Sequence, residues 1–183
     1  MTAATTLKWD EAMAQMILQP RWGGTALCAK KPGMSKRVVP AEAATLLKDG
    51  WTYLDVRSIP EFDQGHPVGS TNIPLLHFQG GRMVPNPAFK QVVEATFPKE
   101  TKLVIGCKSG GRSLQAAGLL AASGYAELVD MRGGFGGERD ALGRVSCAGW
   151  ADEGLPVATQ AEPGKSYAEL ATKAGVATGA APG

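Results

Sequence analysis

Residues 103–113 of the 183-residue chain read LVIGCKSGGRS. The first three are apolar without a break, which is typical of a strand buried on both faces of a parallel sheet. A helix is predicted from about residue 113 to residue 123, with Gly124 as its C-terminal stop. A loop between such a strand and such a helix lies at the carboxyl edge of the sheet, where α/β domains place their sites. The loop that begins at Cys107 is therefore the candidate site.

This loop combines a cysteine with two glycines and two cations. Gly110 and Gly111 let the backbone curl so that successive N–H groups point inward at a helix N-terminus, which creates an anion site. Lys108 and Arg112 add positive charge, and positive surroundings favour the thiolate form of a cysteine. A nucleophile above an anion cradle suits attack on anionic substrates. The alternative is that Cys107 is a small buried apolar residue in a plain turn.

The spacing of the cysteine and the arginine bears on the reaction. Loops of the form Cys-x5-Arg cleave phosphate esters through a cysteinyl phosphate, whereas four residues separate Cys107 from Arg112. A tighter ring leaves room for one extra sulfur atom better than for a tetrahedral phosphate. We therefore favour sulfur transfer through a persulfide, which requires no cofactor. A phosphatase-like or arsenate-reductase-like enzyme is the disfavoured alternative, and parallel assays with a phosphate ester and thiosulfate separate the two.

Helices and strands alternate along the central part of the chain, which argues for an α/β domain with a mainly parallel sheet. The first helix is predicted at residues 40–50, opened by proline and ended by glycine. Residues 58–61 form a capping box for a short helix, and another helix is predicted at residues 86–97. Further strands are predicted at residues 51–56, 71–73 and 127–131.

Several motifs together resemble the rhodanese family in its single-domain sulfurtransferase form. The active loop is matched at residues 107–113, and the closing signature begins at Gly133, Gly134 and Phe135. The opening signature is matched by Tyr53, Asp55, Arg57, Glu61, Phe62, Gly65, His66, Gly69, Ser70, Asn72, Ile73 and Pro74. Within this resemblance, residues 138–149 look like an insertion.

The resemblance implies a rhodanese-like α/β fold, in which a five-stranded, mainly parallel sheet has helices on both faces. It also implies that Cys107 is the catalytic residue and carries the persulfide. The donor would be thiosulfate or a related small anion, and the acceptor would be cyanide or a thiol. Neither a cofactor nor a metal is implied. The residues expected to bind the donor are Lys108, Ser109, Gly110, Gly111, Arg112 and Ser113.

Other polar residues near these motifs have structural interpretations. We interpret Asp55 and Arg57 as structural and electrostatic support, because an aspartate after a strand can accept loop N–H groups and an arginine can pair with a carboxylate. Glu61 is interpreted as the capping-box carboxylate rather than a catalyst. His66 is predicted to hydrogen-bond the backbone in a turn, and His77 to lie at the surface or the rim of the pocket.

Charge and cysteine content narrow the classes of function. The chain carries 19 Lys and Arg against 17 Asp and Glu, a net charge of +2, which gives no indication of nucleic acid binding. No apolar run approaches the roughly 18 residues of a membrane helix.

Cys28 and Cys147 are interpreted as incidental, or Cys147 as a relay for the sulfur. A thiol that must stay reduced and the lack of an export signal favour the cytoplasm, with a plastid or other organelle interior as the alternative.

Three regions are predicted along the chain. They are an N-terminal helix and linker at residues 1–37, a rhodanese-like domain at residues 38–157, and a C-terminal helix with a disordered tail at residues 158–183. Apolar residues recur at helical spacing in residues 7–19. The second functional hypothesis is therefore a binding module that docks a protein partner through residues 7–19 or 138–149.

Overall fold

A computed structural model describes residues 36–176, which alternate between helices and strands. The strands are β1 (Arg37–Val38), β2 (Thr52–Asp55), β3 (His66–Pro67), β4 (Thr71–Asn72), β5 (Leu76–Gln79), β6 (Arg82–Pro85), β7 (Leu103–Gly106), β8 (Leu128–Met131), β9 (Glu138–Arg139), β10 (Val145–Cys147) and β11 (Val157–Ala158). The helices are α1 (Pro40–Lys48), α2 (Ile59–Asp63), α3 (Phe89–Thr96), α4 (Gly111–Ala122) and α5 (Tyr167–Lys173).

The main sheet has five strands in the order β1-β8-β7-β2-β4. Every neighbouring pair in it is parallel. Strand β7 lies in the middle and all four of its residues are buried, as its unbroken apolar run predicts. The α/β fold and its five-stranded parallel sheet are thereby confirmed.

Two hydrophobic cores lie on opposite faces of this sheet, because successive side chains along a strand point in opposite directions. Leu54 and Ile105 belong to the first core, which α3, α4 and α5 cover. Tyr53 and Val104 belong to the second core, to which α1 contributes. Helices therefore cover both faces, as predicted.

Strands β5 and β6 form an antiparallel hairpin that sequence reasoning missed. Its turn consists of Gly80 and Gly81, with φ of 55° and 77°. Glycine adopts this left-handed conformation without steric cost, and a glycine pair is typical of a two-residue hairpin turn. The glycine pair was therefore an available signal for this hairpin.

Helix α3 begins at Phe89 with Ala88 at its N-cap position, two residues after the N-cap predicted at Asn86. The Asn86 side chain donates to the Pro74 carbonyl at 2.8 Å and accepts from the Ala88 N–H at 3.0 Å. It thus ties the chain after β6 to the chain after β4. The prediction of the helix was correct and its first residue was wrong, because this side chain organises a turn before the helix.

The segment after the main sheet forms two further ordered features. Residues 138–149 contain the short antiparallel hairpin of β9 and β10. Ser166 and Glu169 form a capping box at the start of α5, and α5 buries Tyr167 and Leu170 in the first core. Within residues 36–176, no helix has the length and apolarity needed to cross a membrane. The helix predicted at residues 7–19 lies outside the described residues.

Replacing Tyr53 by phenylalanine is expected to leave stability unchanged or to raise it by up to about 1 kcal/mol, because removing an unsatisfied buried polar group can be neutral or stabilising. The Tyr53 hydroxyl is buried and has no hydrogen-bond partner within the described chain. Burial raises the pKa of this phenol well above its usual value, so the group stays neutral. Urea unfolding measures the difference. A loss above about 1 kcal/mol would show that the hydroxyl is bonded, for example to a buried water.

Candidate active site

The loop at residues 107–110 leaves the carboxyl end of β7, the central strand. The neighbouring strands β2 and β8 end at the same edge of the sheet, because all three are parallel. The chain segments that follow β2 and β8 therefore flank the loop. This placement agrees with the position expected for a site in an α/β domain.

The Cys107 sulfur lies against hydrogen-bond donors from its own loop. The Gly110 N–H donates to Sγ at 3.1 Å, and the Ser113 hydroxyl donates to it at 3.5 Å. Gly110 has a φ of 96°, and this left-handed conformation turns the backbone back toward the sulfur before α4 begins. Donors directed at one sulfur stabilise negative charge there, on a thiolate or on a persulfide.

The predicted donor-binding residues of the loop differ in their exposure. Lys108, Ser109 and Gly111 are exposed to solvent, whereas Gly110 and Ser113 are buried beside the sulfur. Arg112 is partly buried. The loop thus divides into an outer part that a small solute can reach and an inner part that contacts Cys107.

A second glycine-rich turn, at residues 133–136, holds the loop from the side of β8. The Phe135 N–H donates to the Cys107 carbonyl at 2.7 Å, and the Gly136 N–H donates to the Lys108 carbonyl at 2.9 Å. A Cβ on Gly134 would lie 2.5 Å from the Cys107 carbonyl oxygen. The two backbones approach so closely that only glycine fits at this position.

Replacing Gly134 by alanine is expected to destabilise the protein by about 2–3 kcal/mol and to impair the loop, since a clash and an unfavourable φ are combined. The φ of Gly134 is 59°, and the atoms that the new methyl group would strike are backbone atoms of residues 107 and 108. Urea unfolding and the alkylation rate of Cys107 measure the two effects. Gly143→Ala is the matched control, because Gly143 has a φ of 78° but open space around its Cβ position. Equal losses in the two variants would contradict the importance of the close approach.

Asp55 and Arg57 form a buried ion pair after β2. The Asp55 carboxylate accepts the Arg57 backbone N–H at 2.9 Å and the guanidinium Nη2 at 2.7 Å. Arg57 also donates to the carbonyls of Glu61 and Gly65 and stacks over the Phe135 ring at 4.3 Å. The pair joins the segment after β2 to α2 and to the glycine-rich turn.

Glu61 pairs with Arg112, a contact that sequence reasoning missed. Its two carboxylate oxygens each accept one guanidinium N–H at 2.7 Å. It also caps α2 by accepting from Ser58, as predicted. Burial alone would raise the pKa of Glu61, but the hydrogen bonds from Arg112 and Ser58 outweigh it and lower the pKa from 4.5 to about 2. The capping box was visible in the sequence, whereas nothing in the sequence linked Glu61 to a residue so distant along the chain.

The remaining candidates take structural positions. His66 is buried, donates its Nδ1–H to the Phe62 carbonyl at 2.8 Å, and stacks on the Phe62 ring. His77 lies edge-on to the Tyr167 ring. Cys147 is fully buried at the end of β10, so no acceptor in solvent reaches its sulfur in this conformation. Cys28 lies outside the described residues.

Comparison with known proteins identifies the family of the domain. The rhodanese-like domain family matches residues 39–137, more than half of the chain. "Thiosulfate sulfurtransferase 16, chloroplastic" of Arabidopsis thaliana is 36% identical over 114 residues, which cover 62% of this chain and 85% of that protein. "Senescence-associated protein DIN1" of Raphanus sativus is 40% identical over 98 residues, which cover 53% of this chain and 54% of that protein. The chain thus spans about half the length of the radish relative.

A solved structure shows the same fold. The crystal structure of Rv0390 from M. tuberculosis superposes with a TM-score of 0.59 at 24% identity, covering 70% of this chain and all of that one. At this identity the likeness concerns the fold alone, and the family match rests on the sequence. The chain belongs to the rhodanese family and contains a rhodanese-like domain.

Proposed function

We propose that the protein is a sulfurtransferase of the rhodanese type, which moves a sulfane sulfur through a persulfide on Cys107. The observation that carries the proposal is the Gly110 N–H, which donates to the Cys107 sulfur at 3.1 Å within a loop closed by a helix N-terminus. The names of two Arabidopsis thaliana relatives, thiosulfate sulfurtransferases 16 and 18, support it.

The reaction has two steps that balance without a cofactor. The Cys107 thiolate attacks the outer sulfur of thiosulfate or a related donor, a new S–S bond forms, and sulfite leaves with the electron pair of the old bond. An acceptor, cyanide or a thiolate, then attacks the terminal sulfur, which gives thiocyanate or a new persulfide and restores the Cys107 thiolate. The loop N–H groups stabilise negative charge on sulfur in both steps.

Mass spectrometry of the intact protein after brief exposure to thiosulfate tests this proposal. We expect a gain of one sulfur atom, which peptide mapping assigns to Cys107 and which cyanide or dithiothreitol removes. A phosphate ester incubated in parallel should leave no phosphoryl group on Cys107. A folded sample that gains no sulfur from thiosulfate would overturn the proposal.

A binding role is the second candidate, favoured by the hairpin at residues 138–149. Leu142 at its tip is 76% exposed, and a large apolar side chain so exposed is suited to a protein contact. If the folded protein gains no sulfur, this hairpin and residues 7–19 become the places to search for a partner.

We infer a reducing compartment for the protein, because the proposed intermediate is a persulfide that oxidation would destroy. The cytoplasm is the first choice and an organelle interior such as a plastid the second. The names of some relatives include "chloroplastic", which supports the second choice. Imaging of the tagged full chain in its own cells distinguishes the two.

A further inference from the structure

Among residues 36–176, four arginines lie around the Cys107 loop, and each of them forms an ion pair with a carboxylate. Their ion pairs are Arg37 with Asp130, Arg57 with Asp55, Arg112 with Glu61, and Arg132 with Glu138. The first also donates to the Gly110 carbonyl, and the third lies in the first turn of α4, directly after the loop. The positive charge that these side chains bring to the site is therefore balanced by an equal number of negative charges.

The pair of Arg112 and Glu61 matters most, because Arg112 is the arginine nearest in the chain to Cys107 and lies in the first turn of α4. Its two terminal nitrogens each donate to one Glu61 oxygen at 2.7 Å. This bidentate arrangement uses the donor geometry with which an arginine would hold an oxyanion. Ser58 donates to the same carboxylate from its N–H and its hydroxyl, so Glu61 is held in place. The hydrogen bonds from Arg112 and Ser58 also keep the pKa of Glu61 at about 2, so its carboxylate stays charged at neutral pH.

Lys108 is the remaining loop cation. It is exposed, and no carboxylate of residues 36–176 lies within ion-pair distance of it. A lysine is a compact, strongly hydrated charge on a flexible stem, so it offers attraction without a fixed fork. From the described residues around the loop, an incoming donor thus meets one mobile positive charge, that of Lys108, and the loop N–H groups. A dianion gives up more hydration than a monoanion on entering such a site.

We propose that Glu61 is a specificity-determining residue: by neutralising Arg112, it makes the site favour singly charged sulfane sulfur donors over dianionic thiosulfate. Suitable donors are thiosulfonates and the persulfides of small thiols. Each has an outer sulfur that the Cys107 thiolate can take while the rest of the donor leaves with the bonding electrons. This inference rests on the proposed function and names the donor class for it.

The test compares two donors that transfer the same outer sulfur. Thiosulfate is a dianion and releases sulfite, whereas methanethiosulfonate is a monoanion and releases methanesulfinate. With cyanide as the acceptor, kcat/KM is measured for both donors in the wild type and in Glu61→Gln. Glutamine keeps the shape and can still accept from Ser58, but it leaves Arg112 with a net positive charge.

The free energy of attraction scales with the charge of the donor. The factor by which kcat/KM rises for thiosulfate should therefore be the square of the factor for methanethiosulfonate. We expect kcat/KM to rise about tenfold for thiosulfate and about threefold for methanethiosulfonate in Glu61→Gln. Glu94→Gln is the matched control, since it removes the same charge from an ion pair with Lys99 on the surface of α3. Glu94→Gln should leave kcat/KM unchanged for both donors.

An equal change for both donors, or none, would overturn the inference while the sulfur transfer of the wild type stands. A wild type that takes sulfur from neither donor would overturn both. If Glu61→Gln does not fold, the inference is tested by the dependence of the wild-type kcat/KM for thiosulfate on salt concentration. With Arg112 neutralised and Lys108 as the unpaired cation among the described residues beside the loop, kcat/KM for thiosulfate should fall by no more than about threefold between low and physiological salt. A steep fall would reveal an unbalanced positive field and contradict the inference.

Discussion

Replacing Cys107 by serine is expected to abolish sulfur transfer, with kcat/KM for thiosulfate and cyanide falling at least about a thousandfold. A serine hydroxyl is a far weaker nucleophile than a thiolate, and it cannot form a persulfide. The Gly110 N–H would still be directed at the side chain, but no sulfur would be there to receive the donor atom. A steady-state thiocyanate assay measures the loss.

The loss must be separated from misfolding. Cys107 is buried and its sulfur lies close to Ser113, so a smaller oxygen atom fits the same space without a clash. Thermal unfolding of the variant should therefore resemble that of the wild type. Retention of more than about a tenth of the activity in a folded Cys107→Ser variant would mean that sulfur moves by a route without this residue.

Asp55→Asn is expected to lower the free energy of unfolding by about 3–5 kcal/mol, the usual result of removing one partner from a buried ion pair. Asp55 is 0% exposed and Arg57 is 3% exposed, so water cannot replace the lost charge. The amide would also present N–H groups toward the Arg57 guanidinium, where the carboxylate now accepts. Urea denaturation monitored by tryptophan fluorescence measures the change.

An exposed ion pair provides the comparison. Glu94 and Lys99 form a short contact at the surface, and solvent there screens and replaces the charge. Glu94→Gln should leave the urea midpoint nearly unchanged. If the two variants lost similar amounts of stability, the buried position of Asp55 would not be the cause of its effect.

Local features of the structure were predictable from the sequence because their signals are local. The capping boxes at Ser58 and Ser166 and the loop at residues 107–113 each depend on residues that are close together in the chain. The contact of Glu61 with Arg112 joins residues 51 positions apart. Those two side chains meet only once the fold has placed α2 beside the start of α4. One sequence has no periodicity that reports such a pairing.

The close approach of Gly134 to the loop could not be predicted from the sequence, for a related reason. The glycine pair at residues 133 and 134 was recognised as part of a signature, but its physical role depends on the carbonyl of Cys107 being 2.5 Å from the missing methyl group. Likewise, the late start of α3 depends on a hydrogen bond from Asn86 to Pro74. Short-range propensity could not anticipate either contact, because each one exists only after the strands have paired.

The two cores extend beyond the part of the chain that matches the family. Residues 39–137 end before Trp150, which is 1% exposed in the second core, and before α5, whose Tyr167 and Leu170 complete the first. The Gln91 side chain of α3 also donates to the Ala174 carbonyl. A polypeptide cut at residue 137 would therefore expose apolar surface on both faces of its sheet. An autonomous folding unit for expression or for fusion to another protein has to extend to about the end of α5.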